Sequence, residues 1–177
     1  MAVRLKTPLS ARDVLRLKVG DKVLLSGIVY TARDLAHKRI IKEGPPFNPE
    51  GAVIYHCGPL IKDDRVISAG PTTSARMNIY LEEVLRMGIR GIIGKGGMMP
   101  EPFRGRAVYF AFPGGAGSLA AEHVRRIKGV FWPELGMPEA VWALEVEDLP
   151  LLVAIDAHGR TLYRKFTQEL TSRPSQL

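Results

Sequence analysis

Three short segments of this sequence set cations where backbone could bring them against a ligand. The first is Arg33-Asp34-Leu35-Ala36-His37-Lys38-Arg39. Arg33 and His37 are four apart, so a helix places them on one face. Asp34 near the helix start suits the dipole and can fix one of the cations. A solvated basic helix face would account for the same residues. The second segment is Gly70-Pro71-Thr72-Thr73-Ser74-Ala75-Arg76. Thr72 or Thr73 is a natural N-cap, and the first-turn amides of a helix suit an anion. Arg76, one turn on from Thr72, can close such a site with a planar fork that fits a carboxylate. A plain capped helix with a surface arginine is the simpler alternative.

The third segment, Gly94-Lys95-Gly96-Gly97-Met98-Met99, puts a lysine between glycines, where backbone can approach a ligand closely. It is not a phosphate loop, because Gly96 follows the lysine where a hydroxyl residue is required. An ordinary turn is the alternative. Pro113–Gly117 is a fourth Gly-rich turn that could add backbone amides, and no G-x-G-x-x-G fingerprint occurs. Together the segments suggest one basic pocket. Two or three separate cations favour a ligand with more than one negative group, so a dicarboxylate fits better than a lone nucleotide phosphate.

The elements that must position these residues follow from the hydrophobic pattern. Lys22–Tyr30, Gly51–Cys57, Arg65–Ala69, Gly91–Gly94, Ala107–Phe112, Ala140–Val146 and Leu151–Asp156 read as strands. Helices are predicted over Thr31–Lys42, Thr72 to about Met87, and Ser118 to about Lys128. Leu35, Ile40 and Ile41, and then Ala75, Ile79, Val84 and Leu85, are the expected core contacts of the first two. Gly88 is the expected stop of the second helix. Met98–Arg106 reads as a loop. His158-Gly159 suggests a tight turn into Thr161–Phe166. Helices interleaved with more numerous strands give an α/β class, with strands left over for a second sheet or barrel-like layer.

Of the 177 residues, 46% are hydrophobic and 24% charged, enough apolar material for one good core. The expectation is a single domain over 1–177 with a frayed tail from about 168. No apolar run reaches the roughly 18 residues of a membrane span, and no charged-then-apolar leader opens the chain. Cys57 is the sole cysteine, which excludes an internal disulfide and a Cys-rich metal site and suggests a reducing cytoplasm. Residues 1–130 hold 21 Lys and Arg against 11 Asp and Glu, whereas residues 131–177 hold 4 against 7. A basic first part attracts nucleic acid, phosphates or carboxylates.

TARDLAHKR, IYHCGP, SAGPTTSARM, IGKGGM, a Gly-rich turn before a short helix, and ELGMPEAVWALEVEDLPLLVAIDAHG occur in this order. In this the chain resembles the beta subunit of two-subunit class I fumarate hydratases and L(+)-tartrate dehydratases. The same unit forms the C-terminal domain of single-chain class I fumarases. The resemblance covers roughly residues 20–160 and is most specific in GPTT-x-x-R-M and ELGMPEA-x-W.

The resemblance implies a swivelling three-layer β/β/α domain and a hydro-lyase reaction, the reversible addition of water to fumarate giving (S)-malate. L(+)-tartrate is the alternative substrate. It also implies an alpha-subunit partner that carries a four-iron–four-sulfur cluster, none being bound by this chain. By motif, Arg33, Thr72, Thr73, Arg76 and Lys95 correspond to substrate-carboxylate ligands. His37 corresponds to an active-site histidine that acts in proton transfer or orients Arg33 or a water. Where single-chain enzymes tend to have an Asn-Arg pair after the lysine, this chain has Gly96-Gly97-Met98, like the two-subunit branch. Two readings from other classes compete. A basic nucleic-acid-binding module is suggested by the pI of about 9.8. It lacks an aromatic RNA-binding motif, and its cations sit beside glycines rather than in a stripe. A small-anion-binding protein without catalysis is the other.

Overall fold

The computed structural model of the chain describes residues 1–112 and 117–163. The strands are β1 (Val3–Lys6), β2 (Lys22–Thr31), β3 (Val53–Tyr55), β4 (Leu60–Lys62), β5 (Arg65–Ser68), β6 (Gly91–Gly94), β7 (Val108–Ala111), β8 (Val124–Phe131) and β9 (Val141–Ile155). The helices are α1 (Ala11–Arg16), α2 (Asp34–Glu43), α3 (Asn78–Arg86) and α4 (Gly117–Glu122). The class is mixed α/β.

Seven strands form one sheet in the order β1-β2-β3-β6-β7-β9-β8, and β4 and β5 pair as a separate hairpin. The first five of that order run parallel to their neighbours. Strand β9 is antiparallel to β7 and β8, and also to β2. The pairings β2–β3–β6–β7–β9 therefore return to β2 and close a ring. That ring is the barrel-like use of the extra strands that the pattern allowed.

The central strands are short and apolar because both of their faces are covered. Val53, Tyr55, Ile93, Val108, Phe110 and Val153 pack into one apolar cluster. Their alternate neighbours Ile54, Ile92, Tyr109 and Ala154 pack into a second, with Ala36 and Ile40 of α2 and Leu81, Val84 and Leu85 of α3. The period of two along each strand thus sends successive side chains to two different cores, and α2 and α3 cover one of them.

Several expectations change. The helix expected from Ser118 to Lys128 ends at Glu122, and β8 follows at once. Its surface arginines bind across to β9, Arg125 to Glu147 and Arg126 to Glu145, both at 2.6 Å. Tertiary pairing overrides the local helical pattern there. The two strands expected at 140–146 and 151–156 are one strand, β9. The apparent break between them is a bulge: register against β2 shifts between Leu25 and Gly27, and the Asp148 N–H donates to Ser26 Oγ at 3.0 Å.

The helix expected from Thr72 opens as a 3-10 turn, Ser74–Met77, before α3. Gly88 does follow its end, at φ +108°. Val84 and Leu85 are buried as expected, but Ile79 is 79% exposed and Ala75 is exposed too. On α2, Ile40 is buried and Ile41 partly so, while Leu35 is exposed. The 98–106 loop contains a 3-10 turn, Glu101–Phe103. Residues before Lys22 carried no expectation, yet β1 and α1 form there, α1 behind a Ser10–Asp13 capping box.

The expected hairpin after Gly159 begins with a bridge between Ile155 and Thr161. Its remainder beyond Tyr163, the tail from about 168, and Pro113–Ala116 of the fourth Gly-rich turn lie outside the described residues. No helix among the described residues is long and apolar enough to cross a membrane.

Candidate active site

The three segments meet at the carboxyl ends of β2, β3 and β6, which are neighbours in the sheet. Carboxyl ends of parallel strands are where open α/β sheets hold ligands. Arg33 follows β2, His56 follows β3, and Lys95 follows β6. The Thr72–Arg76 turn is laid over the last two by backbone. The Thr72 N–H donates to the His56 carbonyl at 2.7 Å and the Ser74 N–H to the Lys95 carbonyl at 3.1 Å. A parallel bridge joins Thr73 to Lys95.

Arg76 spans two of the segments. Its Nε and Nη2 donate to the two carboxylate oxygens of Asp34, each at 3.2 Å, and Nη2 also donates to Thr72 Oγ1 at 3.0 Å. Asp34 therefore fixes a cation from a different segment than its own. The Arg76 guanidinium holds the Asp34 carboxyl below its usual range, and Asp34 raises Arg76 in turn. Among the described residues nothing takes up the N–H groups of Arg76 Nη1, nor pairs with the Lys95 ammonium.

Neither threonine caps the helix through its side chain. Thr73 occupies the N-cap position of the 3-10 turn without a side-chain bond, and Thr72 Oγ1 is spent on Arg76. Thr73 thus holds the expected N-cap position without the expected side-chain bond, and Thr72 steers the arginine.

Arg33 is the extended N-cap residue of α2 rather than part of its face. Its side chain crosses Gly58, where a Cβ would stand 2.9 Å from Arg33 Cδ, so only glycine leaves it room. Glu139 meets it: Arg33 Nε lies 3.6 Å from Oε1, while Oε2 accepts from the Leu35 N–H at 3.1 Å. One carboxylate from the ELGMPEA segment thus caps α2 and pairs its arginine.

His37 is buried, with its ring against His56 at 5.1 Å between centroids and Tyr80 at 5.9 Å. Its Nδ1 lies 2.8 Å from the Arg33 carbonyl. A carbonyl only accepts, so Nδ1 carries the hydrogen and Nε2 is bare in the neutral ring. Burial lowers the His37 pKa to about 4, against a smaller upward pull from that bond and from Asp34. At neutral pH the ring is therefore an acceptor or base, and its bond to Arg33 fixes the start of α2.

Sequence reading missed a buried polar chain beneath this surface. His56 Nδ1 is 2.7 Å from Ser74 Oγ, which is 3.1 Å from the Tyr109 hydroxyl. That hydroxyl is 2.7 Å from the Gly96 carbonyl. All three side chains are buried. The signal available for two of them was position: His56 and Ser74 lie inside the IYHCGP and GPTTSAR motifs.

The chain matches the family described as Fumarase C-terminus over residues 1–166. It is 45% identical to a Methanocaldococcus jannaschii protein named "Putative L(+)-tartrate dehydratase subunit beta", covering 96% of this chain and 95% of that one. It is 39% identical to the L(+)-tartrate dehydratase subunit beta of Escherichia coli (strain K12), covering 89% of this chain and 85% of the other. It is 36% identical to a Geobacillus stearothermophilus protein named "Putative fumarate hydratase class I", across 98% of this chain but only 36% of that longer protein. Tartrate dehydratases and fumarate hydratases are hydro-lyases. With the match spanning nearly its whole length, the chain belongs to the fumarase C-terminus family.

Proposed function

We propose that this chain is the substrate-carboxylate half of a two-subunit hydro-lyase that hydrates fumarate reversibly to (S)-malate. The observation that carries the reading is that Arg33 follows the end of β2 and Lys95 the end of β6, with the turn that bears Arg76 bridged to Lys95 and Arg76 aimed by Asp34 and Thr72. A dicarboxylate needs cations at two places, and these come from two strand ends and the turn beside them.

In this reading Arg33, Thr72, Thr73, Arg76 and Lys95 bind the two carboxylates. Removing or adding water beside a carboxylate builds negative charge onto that group. Fixed cations stabilise this charge more in the transition state than in the ground state. His37, neutral with Nε2 bare, takes up a proton or orients a water. A single domain of swivelling three-layer β/β/α type, in keeping with the separate apolar clusters that the strand faces feed, completes the reading, with the cytoplasm as its proposed location.

The relatives' names, subunit beta, support an alpha-subunit partner for this chain too. The four-iron–four-sulfur cluster that the resemblance implies does not fit the residues present here. Cys57 is buried and its pKa is pushed up to about 12 by burial, so it stays a thiol. Among the described residues no three His, Cys, Asp or Glu side chains are grouped to hold a metal. The cluster is assigned to the partner, and this chain's own part is to bind, orient and place charge. L(+)-tartrate is the second reading, favoured by the names of two relatives.

The test is co-purification with an alpha subunit, then parallel assays on (S)-malate, fumarate and L(+)-tartrate. Hydration of fumarate with the higher kcat/KM is expected. A higher value on tartrate selects the second reading, and full activity of the isolated chain overturns the divided site.

A further inference from the structure

The buried chain from His56 to Gly96 joins the turn that bears Thr72 and Arg76 to the strand end that bears Lys95. Proton counting fixes its direction. The Gly96 carbonyl only accepts, so the single Tyr109 proton goes there, at 2.7 Å. The Ser74 hydroxyl then donates to Tyr109, and His56 Nδ1–H donates to Ser74. The ring of His56 is thereby held with its hydrogen on Nδ1. Its other nitrogen, Nε2, is buried without a partner.

The packing is built around this chain. A Cβ on Gly94 would stand 1.8 Å from Ser74 Oγ and 3.2 Å from His56 Nδ1, so the residue before Lys95 must be glycine for the bonds to pass. Tyr109 reaches the site from β7, the next strand in the sheet.

We propose that His56 is a positioning residue of the carboxylate clamp, acting through Ser74 and Tyr109 to keep the Thr72–Arg76 turn and the Lys95 strand end at one spacing. The proposal rests on the clamp reading above. Burial keeps His56 neutral, with the nearby His37 and Arg76 adding to that. The charged and titratable groups around it are Arg76 on the turn, His37 on α2, and Tyr109 on β7. It touches His37 and Ser74 of the site.

The experiment uses the beta chain assembled with its alpha subunit and compares His56→Leu, His56→Asn, Tyr109→Phe and the double variant His56→Leu/Tyr109→Phe, with Arg76→Met beside them. His56→Asn keeps an N–H at the Nδ1 position and loses Nε2. Misplacing a binding group by about 1 Å costs on the order of 10²-fold. His56→Leu and Tyr109→Phe should each lower kcat/KM by roughly 10- to 100-fold, KM rising, and His56→Asn should recover most of that. Because both act through Ser74, the double variant should lose no more than the worse single one.

Equal losses for His56→Asn and His56→Leu would assign the role to Nε2 and overturn the proposal, as would additive losses in the double variant. Should His56→Leu fail to assemble, Tyr109→Phe and His56→Asn decide alone. Tyr109→Phe at wild-type kcat/KM overturns the relay, and so does a large loss in His56→Asn. Arg76→Met at wild-type kinetics overturns the clamp itself, which separates the two failures.

Discussion

Asp34 grips Arg76 from 42 residues away, with both carboxylate oxygens 3.2 Å from guanidinium nitrogens. The pair ties the start of α2 to the turn before α3. It turns one edge of the guanidinium toward Asp34 and Thr72 and leaves Nη1 without a partner among the described residues.

Arg76→Met should therefore leave the fold nearly intact and damage the reaction. The ion pair is half-exposed on both sides, where such pairs contribute about 0–1 kcal/mol. Charge-assisted hydrogen bonds to a carboxylate contribute ~1.5–3 kcal/mol each. Losing one or two lowers kcat/KM by roughly 10- to 10⁴-fold in the assembled enzyme. Steady-state kinetics beside thermal melting checks both halves, and normal kinetics with a normal melt would return Arg76 to a surface role.

Lys95→Met should resemble Arg76→Met, because no described residue pairs with that ammonium. Thr72→Ala should be milder in both respects. Its hydroxyl caps no helix and only accepts from Arg76, so a melting shift under about 1 kcal/mol and a several-fold rise in KM are expected. A melting loss for Thr72→Ala larger than for Arg76→Met would show that the threonine carries structure instead.

His37→Asn should lower kcat by ~10²–10⁴-fold with less effect on KM, the usual scale for acid–base or orienting groups. The wild-type pH profile is the sharper measurement. A ring with its pKa lowered from 6.5 to about 4 is already deprotonated at pH 6. As a base it keeps kcat/KM flat from pH 7 to about 5 and fails only below that. An acid limb centred between pH 6 and 7 that disappears in His37→Asn would contradict this environment.

Asp156 supplies an independent test of the fold. It is fully buried, and burial alone would raise its pKa. The N–H groups of Val19, Arg160 and His158, with the Arg160 guanidinium, outweigh that and hold it low. Its contribution to stability is then complete above its ordinary value of 3.8 and is lost as pH falls through the lower folded value. Asp156→Ala should cost about 3 kcal/mol or more at pH 7. The difference in melting temperature should shrink toward pH 2. A difference that stays constant between pH 7 and 2 would mean the carboxylate is not held as an anion.

What could be read from the sequence follows from where each residue sits. Arg33 and Lys95 follow strand ends, and Thr72 and Arg76 share the turn after Gly70, so their being brought to one place could be read from local chemistry. His56, Ser74 and Tyr109 are joined only by the fold, across 18 and 35 residues. No local spacing marks them, and Tyr109 in particular reads as one more core aromatic. Glu139 escaped notice for the same reason, since its partners Arg33 and Leu35 precede it by more than a hundred residues. The central strands were legible because Ile54, Ile92 and their neighbours are apolar on both faces. Strand β8 was not, because it is half-exposed and its arginines find their partners only on β9.

The closing of the ring by β9 bears on how the chain comes into being. The substrate-binding residues proposed here lie between Arg33 and Lys95, in the earlier part of the order of synthesis. The strand that joins β2 to β7 and β8 is laid down last among the described strands, and Glu139, which steadies Arg33, comes just before it. Pairing between β2 and β9 brings Lys22 opposite Leu152, a loop that costs entropy before it returns any contact. A nascent chain stopped near residue 140 thus carries the proposed substrate-binding residues without the strand that closes the ring.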